Sequence, residues 1–108
     1  MSDPFLPLNV ISASVCVGSE TDGWNLDQAA AEGDPERVFL VDVFFETPFL
    51  APPVVHLGVT GFDIDQCSSS RLGISTIAIS KTGFQAQLRT WRSSRVYSVE
   101  FQWMAIGS

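Results

Sequence analysis

The longest alternation of apolar and polar residues runs from Thr82 to Gly107. A polar break at residues 92–95 divides it into two segments, each with an apolar residue at every second position. Because successive side chains of a strand point to opposite faces, a period of two is typical of half-buried strands. We therefore predict an antiparallel strand pair, a hairpin, whose turn is the break. The alternating apolar residues are Phe84, Ala86, Leu88, Tyr97, Val99, Phe101 and Trp103.

Four further strands are predicted at residues 9–17, 37–46, 54–60 and 72–80, each bounded by turn-forming residues. The second is apolar on both faces, with Asp42 the one interruption, which indicates a central strand or a subunit contact. Residues 18–36 form a long loop, and such loops are usually functional. Residues 1–8 carry two prolines and are interpreted as an N-terminal arm. Six strands without a periodic helix predict an all-β sandwich or barrel over residues 9–108.

The composition excludes several classes of protein. A chain of 108 residues is one domain. No apolar run approaches the ~20 residues that cross a bilayer, and the N-terminus lacks the basic region of a signal peptide. We therefore expect a soluble protein without membrane insertion. The net charge of −6 opposes binding to nucleic acid, whose affinity depends on neutralising phosphates.

The charges are unevenly distributed along the chain. Residues 1–65 hold eleven acids and one base, whereas residues 66–108 hold five bases and one acid. One interpretation is an ordinary solvated surface. The other is an electrostatic attraction between the two halves, within a subunit or between subunits.

Most candidate chemistry has a simpler structural explanation. Cys16 ends an apolar run and is expected to be buried, Cys67 lies in a polar loop, and free thiols are favoured over a single disulfide. His56 lies in an apolar strand and is interpreted as structural, since no nucleophile motif accompanies it. One histidine and two scattered cysteines make a zinc site improbable. The aspartates at residues 63–65 lack the spacing of a calcium loop, and a glycosidase-like carboxylate pair stays open.

One remaining set of residues could bind a ligand. It contains a carboxylate that can accept hydroxyl protons, guanidinium groups that can donate in a fixed geometry, and aromatic rings that can cover C–H groups. That combination suits a neutral, hydroxyl-rich ligand such as a sugar. The alternative is that the tryptophan is core, the tyrosine belongs to a strand and the charges serve solubility. The five candidates are Asp34, Arg71, Trp91, Arg92 and Tyr97.

From Phe45 to Gly107 the sequence resembles the H-type lectin domain, the family of the snail agglutinin and the discoidin C-terminal domain. The resemblance extends without gaps back to Asp34, and with a small gap back to Gly23-Trp24, so that it covers most of the chain. No single motif is strong, but the ordered set is specific. Its members are Phe45, Pro48, Pro52-Pro53-Val54-Val55, Asp63, Arg71, Thr82-Gly83-Phe84, Thr90-Trp91, Val96-Tyr97-Ser98 and Trp103.

The resemblance implies a six-stranded antiparallel β-sandwich that assembles as a trimer, sometimes stacked into a hexamer. It implies binding of galactose or N-acetylgalactosamine near subunit interfaces, without a cofactor. By position, Asp34 corresponds to the acid that accepts from sugar hydroxyls, and Arg71 to the donor near the axial hydroxyl. Trp91 and Tyr97 correspond to the aromatic wall and its phenolic partner. Arg92 stands where the snail protein has a histidine, and this departure puts the N-acetyl preference in doubt.

The sequence therefore predicts a non-enzymatic, oligomeric lectin that acts on extracellular or cell-surface glycans. Two alternatives belong to other functional classes. One is a structural trimerisation or adhesion module that binds no sugar, and the other is a small glycosidase.

Overall fold

The computed structural model describes residues 8–28, 36–67 and 69–108, and within them the chain forms six strands and no helix. Two three-stranded antiparallel sheets, β1-β6-β3 and β2-β5-β4, pack face to face. This arrangement confirms the predicted all-β sandwich. The strands are β1 (Asn9–Gly18), β2 (Arg37–Phe44), β3 (Val54–Ile64), β4 (Gly73–Ile77), β5 (Gly83–Thr90) and β6 (Val96–Gly107).

The predicted hairpin between the last two strands is wrong. Strand β5 lies between β2 and β4, whereas β6 lies between β1 and β3 in the other sheet. The rings of Phe84 and Trp103, one from each strand, meet across the core with centroids 5.6 Å apart. Alternation identifies the buried face of a strand but not its partner, because both central strands present the same pattern. Residues 91–95 therefore cross between the sheets.

Three strand boundaries also differ from the predicted ones. Strand β3 continues to Ile64, through a segment predicted to be a turn. Its pairing with β6 shifts register between Val59 and Gly61 and again between Asp63 and Ile64. These irregularities allow the strand to stay paired with β6 across the polar residues. Strands β2 and β4 end earlier than predicted, at Phe44 and Ile77.

The core consists of the inward faces of both sheets, closed at each end by aromatic residues. At one end, four rings pack with centroid separations between 5.2 and 6.0 Å. At the other end, Trp24 and Leu26 of the β1–β2 connection are buried against the sandwich. Each buried side chain of this size stabilises the fold by roughly 1.5–3 kcal/mol. The four rings are those of Phe45, Phe49, Phe84 and Trp103.

Several side chains lie on faces that the pattern did not predict. Cys16 is exposed rather than buried, because it shares the outer face of β1 with Ser12 and Ser14. Both cysteines are free thiols, as predicted. His56 is exposed on the outer face of β3, opposite Met104, so it is not part of the hydrophobic core.

The outer face of β2 keeps its apolar character in the structure. Leu40 is 46% exposed and Phe44 is 78% exposed. Since β2 is an edge strand, its two apolar faces do not come from a central position in the sheet. Of the two explanations that the sequence left open, the central strand is therefore wrong.

The strand registers place the described parts of three connections at one end of the sandwich: residues 19–28 with 36, residues 65–67 with 69–72, and residues 91–95. We call this end the loop end. The other two connections, residues 45–53 and 78–82, lie at the opposite end. In the described part of the chain, no helix is long and apolar enough to span a membrane.

Candidate functional site

A buried arginine joins two of the loop-end connections. Arg37 begins β2, faces inward and is only 8% exposed. Its guanidinium donates to the backbone carbonyls of Gln28, Arg92 (2.7 Å) and Ser94 (2.9 Å). Burial, and then the charge of Arg95, lowers the pKa of Arg37, and the carbonyl oxygens compensate the buried charge. The Nε atom of Arg37 is buried without a partner.

The third connection is fixed to the same network through Arg71. The buried Ser94 accepts a hydrogen bond from the Arg71 backbone N–H at 3.0 Å. The hydroxyl of Thr90, also buried, donates to the Arg71 carbonyl at 2.6 Å. The guanidinium donates to the exposed carbonyl of Ser69 at 3.2 Å. The Arg71 backbone is therefore held from both sides, while its half-buried side chain lies at the surface.

The β1–β2 connection is anchored to the start of β6. The indole N–H of Trp24 donates to the Val96 carbonyl at 2.9 Å, and the Val96 N–H donates to the Leu26 carbonyl at 2.7 Å. The side chain of Arg95 adds a bond from Nε to the Asp27 carbonyl at 3.0 Å. Hydrogen bonds thus link the β1–β2 connection to the β5–β6 connection and to the start of β6.

Trp91 is half-buried and carries a cation on one ring face. The guanidinium carbon of Arg89 lies 5.2 Å from the ring centroid of Trp91. Arg89 also forms an exposed ion pair with Glu36 at 3.7 Å. A Cβ atom at Gly73 would lie only 2.7 Å from the Arg89 Nε, so the absence of a side chain there makes room for Arg89. These contacts hold the indole in a defined orientation at the surface.

Arg92 is exposed and adopts a left-handed backbone conformation with φ at 58°. That region is unfavourable for residues other than Gly, Asn and Asp. The hydrogen bond from Arg37 to the Arg92 carbonyl fixes the backbone there. As a result the Arg92 side chain lies at the tip of the β5–β6 connection, directly after Trp91.

Tyr97 lies beside a separate surface depression. It is half-buried and, with Ser98, lines a cavity of about 300 Å³ whose other wall is residues 16–21. Its carbonyl accepts a hydrogen bond from the Ser19 N–H at 2.8 Å.

The predicted site residues therefore have different outcomes. Arg71, Trp91 and Arg92 lie in two connections of the loop end that are joined through Ser94, and Tyr97 is the second residue of β6. Asp34 falls outside the described residues. No group of three or more His, Cys, Asp and Glu side chains within the described ranges is arranged to hold a metal ion.

Sequence reasoning missed the residues that support the site, above all Arg37, Thr90 and Ser94. One signal for Arg37 was available: its position in the alternation of β2 belongs to the inward, otherwise apolar face. A cation at such a position must find buried acceptors. No local signal marks the roles of Ser94 and Thr90, since their partner Arg71 is some twenty residues away (23 and 19, respectively).

Comparison with known proteins gives one family and a few relatives. The model of the H-type lectin domain matches residues 40–106, a range that contains four of the five predicted site residues but not Asp34. A protein of Fuscovulum blasticum, described as ATP synthase subunits region ORF 7, is 37% identical over 76 residues, which is 70% of this chain. The chain spans 66% of that relative's length.

Two solved structures share the fold. Recombinant discoidin II of Dictyostelium discoideum superposes with a TM-score of 0.75 at 22% identity, over 99% of this chain and 40% of that one. Wild-type discoidin II gives the same TM-score and identity over 98% of this chain and 39% of the other. At this identity the likeness concerns the fold.

Proposed function

The chain belongs to the H-type lectin domain family, and on that premise we propose that it is a non-catalytic carbohydrate-binding protein for galactose-type or N-acetylgalactosamine-type sugars. The proposed site residues are Asp34, Arg71, Trp91, Arg92 and Tyr97, and the four that the structure describes lie in or beside the loop-end connections.

The observation that carries this proposal is the network around Ser94. It fixes the Arg71 backbone against the connection that presents Trp91 and Arg92. A sugar site needs donors and an aromatic surface held in place before the ligand arrives, because ordering them on binding would consume binding energy. Here the buried Arg37, Thr90 and Ser94 supply that order.

Each side chain has a distinct part in the proposed binding. The guanidinium of Arg71 donates to ring hydroxyls, and the carboxylate of Asp34 accepts from them. The indole of Trp91 covers the apolar C–H face of a galactose-type ring. The cation of Arg89 lies on the ring of Trp91 and limits its rotation. Tyr97, which follows the β5–β6 connection and also lines the neighbouring depression, supplies a phenolic hydroxyl.

We propose that the lectin acts as a trimer or hexamer, with sites near the subunit interfaces. Protein–sugar hydrogen bonds replace equally good bonds to water, so a single site binds weakly. Several sites on one rigid assembly raise avidity without new contacts. The exposed Phe44 and Leu40 on β2, and the acidic first half opposite a basic second half, support association between copies.

The same apolar face favours a second candidate, a structural trimerisation or adhesion module without sugar binding. A glycan array separates the two functions. The lectin proposal expects retention of galactose-type glycans by the wild type and their loss in Asp34→Asn and Arg71→Ala. An array that retains no such glycan leaves the structural module. Incubation with aryl galactosides tests the non-catalytic part, and turnover above the buffer rate would contradict it.

A further inference from the structure

The positive charge of the protein is concentrated at the loop end. The chain has a net charge of −6 and six basic residues, and five of these lie in or beside the loop-end connections. The sixth, Lys81, lies in the β4–β5 turn at the opposite end of β5. The five are Arg37, Arg71, Arg89, Arg92 and Arg95.

Three of these cations are already engaged by the protein. Arg37 donates to three backbone carbonyls, and Arg95 donates from Nε to the Asp27 carbonyl. Arg89 forms an ion pair with Glu36, with 3.7 Å between its Nη1 and the Glu36 Oε2. Arg71 gives one exposed hydrogen bond from Nη1 to the Ser69 carbonyl, and neither it nor Arg92 has a carboxylate within ion-pairing distance among the described residues. Both residues belong to the proposed site, where Arg92 and the other N–H groups of Arg71 can donate to a ligand.

The backbone of Arg92 gives an independent reason to assign it a function. An arginine in the left-handed region is strained, and a Gly or Asn would adopt φ of 58° more easily. Strained conformations of this kind concentrate at binding sites. The strained backbone places the guanidinium of Arg92, which has no carboxylate partner among the described residues, directly after Trp91 in the chain.

We propose that the sugar site selects acidic glycans, in which a galactose-type ring carries a sulfate ester or a carboxylate that pairs with Arg92 and Arg71. This inference rests on the proposed sugar-binding function. The planar guanidinium donates two parallel hydrogen bonds to an oxyanion, a geometry that sulfate and carboxylate share. Because the protein as a whole is acidic, the selection comes from these two side chains rather than from the overall field.

The test is a titration with galactose, galactose 6-sulfate and galacturonic acid at about 50 mM and about 500 mM NaCl. At low salt we expect at least one acidic sugar to bind about tenfold more tightly than galactose or better, the value of one good hydrogen bond to a charged group. The advantage shrinks at high salt because exposed charges are screened. The sulfate and carboxylate arms identify which anion the site accepts.

Two matched variants locate the effect. Arg92→Asn removes the charge and places a residue that tolerates the left-handed conformation, so the melting temperature is unchanged or higher while the acidic-to-neutral affinity ratio falls towards one. Lys81→Asn makes the same charge change at the opposite end of β5 and leaves the ratio unchanged.

Equal affinity of wild type for acidic and neutral sugars overturns the acidic selection and leaves the sugar-binding proposal intact. An equal loss in Lys81→Asn and Arg92→Asn also overturns it, because the effect then reflects overall charge. If none of the three sugars binds, the proposed function fails, and the acidic selection fails with it.

Discussion

A single inward-facing guanidinium organises the backbone of the loop end. Arg37 is less than a tenth exposed. Its guanidinium donates hydrogen bonds to the backbone carbonyls of Gln28, Arg92 and Ser94. Carbonyl oxygens near a strand end otherwise need water or side-chain donors. The residue that positions the site is thus distinct from the residues proposed to touch the sugar.

Replacing Arg37 should unfold the protein more easily than replacing an exposed arginine. Arg37→Met leaves buried carbonyls without donors, and we expect the free energy of unfolding to fall by about 3 kcal/mol. Arg89→Met loses one exposed ion pair and one exposed cation–π contact, so its cost is about 1 kcal/mol or less. Urea denaturation measures both variants. Equal losses would contradict the role assigned to Arg37.

The pKa of the exposed Cys67 thiol depends on its neighbour Asp65. A carboxylate oxygen of Asp65 accepts the Cys67 N–H at 2.9 Å, and this bond lowers the pKa of Asp65. A hydrogen bond from the thiol, and then the charge of Asp65, raise the pKa of Cys67.

Because the thiolate is the reactive form, a raised pKa slows alkylation. In a Cys16→Ser background, Asp65→Asn removes the charge and should increase the iodoacetamide alkylation rate of Cys67 several-fold at about pH 8. The measurement is mass-spectrometric. An unchanged rate would show that Asp65 does not control the thiol.

At the scale of the strands, an added methyl group is expected to have different effects at two glycines. A Cβ at Gly73 would meet the flexible side chain of Arg89, whereas a Cβ at Gly83 would lie 2.1 Å from the Val43 carbonyl oxygen. A side chain can move aside, but paired backbone cannot.

We therefore expect Gly83→Ala to destabilise the fold by about 2–3 kcal/mol and Gly73→Ala by less than about 1 kcal/mol. Gly73→Ala should instead displace Arg89 from Trp91 and change the tryptophan fluorescence and sugar affinity. Thermal unfolding and emission spectra check both. A Gly73→Ala protein with wild-type emission and affinity would show that Arg89 does not position Trp91.

The strands were predictable to the extent that local patterns specify them. The apolar residues at every second position, such as Phe84 and Leu88 in β5 and Phe101 and Trp103 in β6, correctly identified the buried faces of these strands. Their partners were not predictable, because a face pattern is the same in a hairpin and in two opposed sheets. The site residues were selected by their chemistry and given roles by the family resemblance, and neither argument identifies the buried side chains of Arg37, Thr90 and Ser94.

For the whole molecule, assembly is tested at the outer face of β2. Phe44 is 78% exposed, and a side chain of this size left in water is unfavourable unless a second copy covers it. We expect light scattering of wild type to give a trimer or hexamer mass. Phe44→Ser should shift the mass towards the monomer at micromolar concentration. Ser14→Ala, on the outer face of the other sheet, is a control that should retain the wild-type mass. A monomeric wild type would contradict the assembly.

The central claim, sugar binding at the loop end, is tested most directly by calorimetric titration of galactose into wild type and Arg71→Ala. The backbone contacts of Arg71 survive this substitution, so the melting temperature should change little. We predict weak, saturable binding of galactose by wild type, with affinity reduced at least about tenfold in Arg71→Ala. Galactose heats indistinguishable from dilution in wild type, or equal affinity in both proteins, would contradict the account.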